Sequence, residues 1–138
     1  MFKKIFKNKT DLNQHSFLTN YANRDKYFLR TKPWGWLNEK EIYVTDKVDG
    51  KPKMITFGFW SQEIYLDSNG QITVSELIDL TCKQYTDSNL KVPVNIDKDI
   101  IEALESLVYN LKIVEFKNNK TPLPKEVDLP ISKNSANS

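Results

Sequence analysis

Asp49-Gly50 lies between two alternating, β-forming runs, Glu41-Ile-Tyr-Val-Thr-Asp46 and Lys53-Met-Ile-Thr-Phe57. No other feature narrows the fold of this chain as much. A two-residue hairpin loop that follows the right-handed twist of its strands needs positive φ at both central residues, and Asp-Gly is a favoured pair for it. Residues 41–57 are therefore expected to form a β-hairpin. Pro52 cannot donate to a ladder, so it belongs at the turn or on a free edge.

Upstream, Lys26-Tyr-Phe-Leu-Arg-Thr-Lys32 reads as a short strand, and Pro33-Trp-Gly-Trp36 as the turn that breaks it. Trp34 and Trp36 are expected to cover the edge of the core; exposed, they would mark a partner surface instead. Residues 58–67 fit two structures. As a helix they stack Trp60 on Ile64; as a strand they put Trp60, Ile64 and Leu66 on one face, and periodicity does not choose between them.

Asp67-Ser-Asn-Gly70 reads as a turn. Thr73-Val-Ser-Glu76 is a capping-box pattern, in which the hydroxyl and the carboxylate satisfy each other's backbone amides. The helix it opens places Val74, Leu77, Ile78, Cys82 and Tyr85 on one face and is expected to end near Tyr85 or Thr86. A loop through Pro93 follows. Asp97 is expected to cap a second helix, with Ile96 and Ile101 as a hydrophobic staple around the cap. Its buried stripe is Ile100, Ile101, Leu104, Leu107, Val108 and Leu111. Ile113-Val-Glu-Phe116 reads as a short strand returning to the sheet as a wing.

These elements predict an α+β domain over residues 26–117: a small antiparallel sheet packed on a winged-helix-like unit of three helices. Residues 1–25 read as a basic, partly flexible arm, either loose or with a short helix at Phe17-Leu18 and Tyr21. Residues 118–138 read as an extended segment, packing through Leu123, Val127, Leu129 and Ile131, followed by a disordered tail. A chain of 138 residues can bury a core without disulfides or metal.

Chemistry-bearing residues are sparse. One cysteine, Cys82, forbids an internal disulfide and reads as a small apolar side chain on an inner helix face. With His15 the single histidine, the usual zinc ligand sets are missing. Glycine occurs only at positions 35, 50, 58 and 70, so there is no phosphate-cradling loop. Carboxylate pairs such as Glu102 and Glu105 sit at the spacing of a solvated helix face. The expectation is a domain with no catalytic residues, no cofactor and no metal. No apolar run follows the basic start, and none is long enough to span a membrane, so the expected compartment is the cytoplasm. Phe2, Ile5 and Phe6 with Lys3, Lys4 and Lys7 read as a frayed basic start or as a short helix for a membrane surface.

Charge is unevenly placed. Residues 1–53 hold twelve Lys/Arg against six Asp/Glu, whereas residues 54–138 hold eight against twelve. A dipolar layout of this kind orients a charged partner without determining the fold.

Three passages carry a resemblance. They are Lys53-Met-Ile-Thr-Phe57, then Asp67-Ser-Asn-Gly-Gln-Ile-Thr-Val-Ser-Glu-Leu-Ile78, and Asp97 to Phe116 with its leucine stripe. In this order they resemble the PqqD-like domain, the peptide-recognition element of pathways that modify ribosomally made peptides. The resemblance covers about residues 26–117. The bulky Phe59-Trp60 departs from the family's small residues in its first helix. The resemblance favours a helix over 58–67 and implies peptide binding without catalysis. The peptide would add as a strand to the edge formed by Lys53, Met54, Ile55, Thr56 and Phe57. It would also lie against Glu102, Glu105 and Tyr109 of the closing helix, whose carboxylates would favour a basic segment. Main-chain hydrogen bonds supply affinity in this mode, and pockets for alternate side chains supply specificity.

Two other readings follow from the residues. A protein–protein adaptor or small subunit would use Trp34, Trp36, Phe59 or Trp60 as anchors. A winged-helix DNA binder would place the closing helix in the major groove. Asp97, Asp99, Glu102 and Glu105 on that helix oppose phosphate, which argues against nucleic acid.

Overall fold

The computed structural model describes residues 16–131. It is an α+β fold of helices and two three-stranded antiparallel sheets. The chain runs α1 (Ser16–Thr19), β1 (Tyr27–Arg30), β2 (Trp34–Trp36), β3 (Ile42–Val48), β4 (Lys51–Thr56) and α2 (Phe59–Asp67). It continues with β5 (Asn69–Thr73), α3 (Val74–Asp87) and α4 (Ile96–Glu105), which runs on into a π-helical turn over Ser106–Asn110. β6 (Val114–Lys117) and α5 (Lys125–Asp128) complete it.

The hairpin forms as its turn chemistry requires. Asp49 and Gly50 have φ of 54° and 77°, and Val48 sits opposite Lys51. β2, β3 and β4 form a meander in that order. Pro33–Trp36 was expected to break the chain; instead Trp34–Trp36 pairs with Val44–Ile42 as an edge strand. Trp34 is buried at 5% exposure and Trp36 is exposed at 47%, so only the first covers the core. Gly35 permits this pairing, because a Cβ there would lie 2.7 Å from the Tyr43 hydroxyl.

The second sheet has the order β5-β1-β6. β1 is its central strand, with Phe28, Leu29 and Arg30 all buried. β6 does return after α4, but beside β1 in this sheet and not in the hairpin's sheet. β5 was expected to be turn and cap. It is a strand because β1 pairs with it antiparallel, Tyr27 opposite Thr73 and Leu29 opposite Asn69. Gly70 lies within β5 at φ 76°, and a Cβ there would lie 2.0 Å from the Thr121 carbonyl oxygen.

Residues 59–67 are helical, which closes the alternative left open by periodicity. α2 tucks Ile64 and Tyr65 into the core. α3 opens on the expected capping box: the Thr73 hydroxyl accepts from the Glu76 amide at 3.2 Å, and Glu76 accepts from the Thr73 amide at 3.0 Å. It runs past Thr86 to Asp87 and stops where Asn89 takes φ 57° and the Leu90 amide donates to the Tyr85 carbonyl. Asn tolerates that left-handed position better than most residues. Cys82 is half-buried against the core.

α4 carries its apolar stripe inward, with Ile96, Ile100, Ile101, Leu104 and Leu107 buried. Fully burying one such side chain stabilises the fold by roughly 1.5–3 kcal/mol. Asp97 does not cap this helix. The residue before it, Ile96, already belongs to the helix, so Asp97 lies in the first turn, 2% exposed. Its carboxylate accepts from the Leu18 amide at 3.0 Å and its own neighbour Lys98 at 2.8 Å. That bond ties α1 to α4 and puts Leu18 in the core. Val127 is buried as well. The packed unit therefore reaches beyond 26–117 at both ends, and α5 is a short helix where an extended segment was expected. Residues 1–15 and 132–138, including the basic start and the final tail, lie outside the described residues.

Candidate functional site

The hairpin register determines what β4 offers. In a two-residue hairpin the pair flanking the turn is hydrogen-bonded, and bonded pairs recur at every second residue. Lys51, Lys53 and Ile55, opposite Val48, Asp46 and Val44, therefore turn their backbone groups toward β3. Pro52, Met54 and Thr56 turn theirs outward. Among the described residues no strand pairs with that outer side. Pro52 has no N–H, so the free edge presents donors only at Met54 and Thr56. Beyond Thr56, Gln62 replaces β4 as the partner of the β3 side of the ladder. The Ile42 amide donates to Gln62 Oε1 at 2.9 Å, and Gln62 Nε2 donates to the Lys40 carbonyl at 2.7 Å.

Side chains along β4 alternate. Ile55 is buried, while Met54 and Thr56 are exposed on the opposite face. Phe57 stacks on Tyr65 with ring centroids 5.7 Å apart. The Tyr65 hydroxyl donates to the Lys32 carbonyl at 2.5 Å, and burial raises its pKa well above the ordinary phenol value. Lys53 lies opposite Asp46, which pairs with Lys32 Nζ at 3.2 Å. Burial alone would raise the Asp46 carboxyl. The Lys47 amide and the Lys32 ammonium outweigh it and hold the carboxyl below its usual value.

The helix residues expected beside this edge are distributed differently. Tyr109 lies on the π-helical turn, its ring 6.2 Å from Phe116 of β6. It lines an open groove of about 650 Å³ together with Lys32, Lys112 and Glu115. Glu105 instead lies near Tyr21, and Glu102 pairs with Lys98 at 3.9 Å. Among the described residues no hydrogen bond, ion pair or ring contact joins Glu102, Glu105 or Tyr109 to residues 53–57. The link is Lys32, which reaches Asp46 opposite Lys53 and also lines the Tyr109 groove. Two lysines and one carboxylate line the groove with Tyr109, so it is not an acidic slot.

Lys32 and Lys112 were not legible as site residues. Lys112 ends the helical run at φ 57°, a position that a glycine or asparagine would have announced. Lys32 lies in the connection between β1 and β2, whose neighbours are chosen by the packing of the two sheets.

A buried cation holds the other side of the domain together. Arg30 donates to the carbonyls of Val127 at 3.0 Å, Leu66 at 2.8 Å and Asp128 at 3.2 Å. Its guanidinium lies 5.7 Å from the Trp34 ring centroid. All three acceptors are backbone oxygens of this chain, so Arg30 is a structural clamp.

Among the described residues no group of His, Cys, Asp and Glu is placed to hold a metal ion, and no helix is long and apolar enough to cross a membrane. Comparison with protein-family models, curated proteins and solved structures finds no match for the chain.

Proposed function

We propose that this chain is a non-catalytic peptide- or protein-binding module that takes an extended segment as an added strand on β4. One observation carries the reading: among the described residues no strand pairs with the outer side of β4, and Met54 and Thr56, whose backbone groups turn to that side, are exposed. A strand added there pairs with Met54 and Thr56 and stops at Pro52, which offers no donor. The docked segment's side chains alternate between the exposed Met54–Thr56 face and the Lys53–Phe57 face. Lys53, Met54, Ile55, Thr56 and Phe57 form this site, and Tyr109 flanks it by way of Lys32. Glu102 and Glu105, which lie beside Lys98 and Tyr21, are left outside it. The lysines beside Tyr109 favour a segment carrying a carboxylate over the basic one that the resemblance implied. Presenting such a segment to a modifying enzyme is the role that the PqqD-like resemblance adds.

The test is a displayed library of twelve-residue peptides selected against the full chain, followed by amide spectra with the selected peptide. Binding by strand addition shifts the Met54 and Thr56 amides and slows their exchange with solvent. Saturating peptide that leaves both amides unchanged overturns the proposal.

An adaptor role has one observation in its favour: Trp36, beside the buried Trp34, is half in solvent. Its discriminating result is capture of a folded partner that Trp36→Ala abolishes while Met54→Pro does not. DNA binding has less support, because α4 presents Asp99 and Glu102 outward.

A further inference from the structure

α2, α3 and α4 enclose an open groove of about 510 Å³. Phe59, Trp60, Leu77 and Leu90 supply its apolar lining. Phe59 is 69% exposed and Leu90 59% exposed, so much of this apolar surface meets water. Such surface is costly to leave open and marks a contact site. Two carboxylates, Glu63 and Asp67, stand on the groove, and among the described residues no cation lines it. Burial raises the Asp67 carboxyl, and the like charge of Glu63 adds to the effect. An incoming cation would relieve both carboxylates.

The chain itself contains a segment of matching chemistry. Phe2, Ile5 and Phe6 are interleaved with Lys3, Lys4 and Lys7. At helical spacing Phe2, Ile5 and Phe6 share one face. Residues 1–15 hold four lysines against one aspartate, while residues 16–131 hold fifteen Lys/Arg against seventeen Asp/Glu. Reach is not limiting. Ser16 and Phe17 line a cleft with Val94 and Asp97, at the start of the helix whose Ile100 lines the groove. The stretch between Phe6 and Ser16 spans up to roughly 30 Å when extended.

We infer that the groove between α2, α3 and α4 receives residues 2–7 of this same chain. Phe2, Ile5 and Phe6 cover Phe59, Trp60 and Leu90, and the lysines face Glu63 and Asp67. The inference does not depend on strand addition at β4, and either can fail without the other.

The test uses the full chain with the photoreactive residue p-benzoylphenylalanine replacing Phe6. Irradiated at low protein concentration, it crosslinks within the chain to peptides containing Phe59–Asp67 or Thr81–Leu90. The double variant Glu63→Lys, Asp67→Lys lowers the yield by up to about fivefold for each ion pair reversed, and added salt narrows the difference. In parallel, Ile5→Asp with Phe6→Asp shifts amides of the groove residues and leaves thermal unfolding cooperative. Crosslinks that map elsewhere on the domain, crosslinks between two chains, or groove amides unmoved by the Asp variants overturn the inference.

Discussion

Arg30 and Trp34 share one acceptor: Arg30 Nε and Trp34 Nε1 both donate to the Val127 carbonyl oxygen, at 3.0 and 2.9 Å. Each sheet contributes one donor, and the C-terminal helix α5 contributes the acceptor. The oxygen therefore joins three parts of the fold at one atom. Losing one donor leaves the oxygen satisfied by the other, whereas losing Arg30 also orphans the carbonyls of Leu66 and Asp128. Trp34→Phe is expected to cost about 1 kcal/mol for the lost hydrogen bond, and Arg30→Met about 3 kcal/mol. Urea unfolding of the two variants checks the order, and equal costs would contradict the shared-acceptor account.

Proline scanning reads the β4 register directly. Met54 and Thr56 turn their amides outward, so Met54→Pro or Thr56→Pro removes no bond to β3. Both variants are expected to keep the stability of the parent to within about 1 kcal/mol and to lose strand addition. Ile55→Pro breaks a ladder bond and empties a core position, with an expected loss of about 3 kcal/mol or more. Thermal unfolding with a peptide titration distinguishes the three.

Two glycines at nearly the same φ separate backbone strain from contact. Gly50 at 77° has nothing within 4 Å of an added Cβ, while at Gly70, at 76°, the Cβ would press 2.0 Å from the Thr121 oxygen. Gly50→Ala is expected to cost roughly 1–2 kcal/mol for the left-handed backbone alone. Gly70→Ala carries that strain plus the clash with the chain after β6, and its stability falls further. Chemical denaturation of both variants is the measurement. Similar losses would show that the Thr121 segment moves aside freely.

Tyr21 and Tyr65 both tie stability to alkaline pH, and Tyr21 is the one whose hydroxyl can be removed at least cost. Burial pushes its hydroxyl up to about 12 from an ordinary 10, with nearby Glu105 and Tyr109 adding to the effect. Among the described residues that hydroxyl has no hydrogen bond of good geometry, although the Asn23 and Glu105 side chains lie near enough to act on it. An acid whose folded pKa is raised binds its proton more tightly in the folded state. Its contribution is complete below pH 10 and is lost as pH rises toward 12. Tyr21→Phe is expected to raise stability near neutrality by up to about 1 kcal/mol, because a buried hydroxyl without a well-formed hydrogen bond is removed. It is also expected to flatten the decline above pH 10. Denaturation followed across that range gives both numbers. An unchanged alkaline slope would assign the titration to another group, with Tyr65 next in line.

Much of the fold was legible in local chemistry. Asp49-Gly50 specifies its hairpin because few other pairs tolerate positive φ twice. Thr73 and Glu76 announce the start of α3 because each satisfies the other's amide. The inward stripe of α4 follows from apolar residues recurring at the helical period. In each case the cause and the effect lie within a few residues. The register of residues 53–57 was legible for the same reason, since a turn of known type sets the pairing beyond it.

What the residues could not decide depended on partners far along the chain. Asn69–Thr73 is a strand because β1, some forty residues earlier, supplies its hydrogen bonds. Trp34–Trp36 pairs because β3 lies beside it. Asp97 looks like a cap in isolation, but the amide of Leu18 claims its carboxylate. Tyr109 shares a groove with Lys32 because β1 and β6 pair, a match that no local pattern encodes. Turns, caps and amphipathic periods are short-range steric and hydrogen-bonding facts, and sequence alone determined them. Strand partnership, and with it the surroundings of every site residue, is a choice among distant backbones, which only burial of a common core makes.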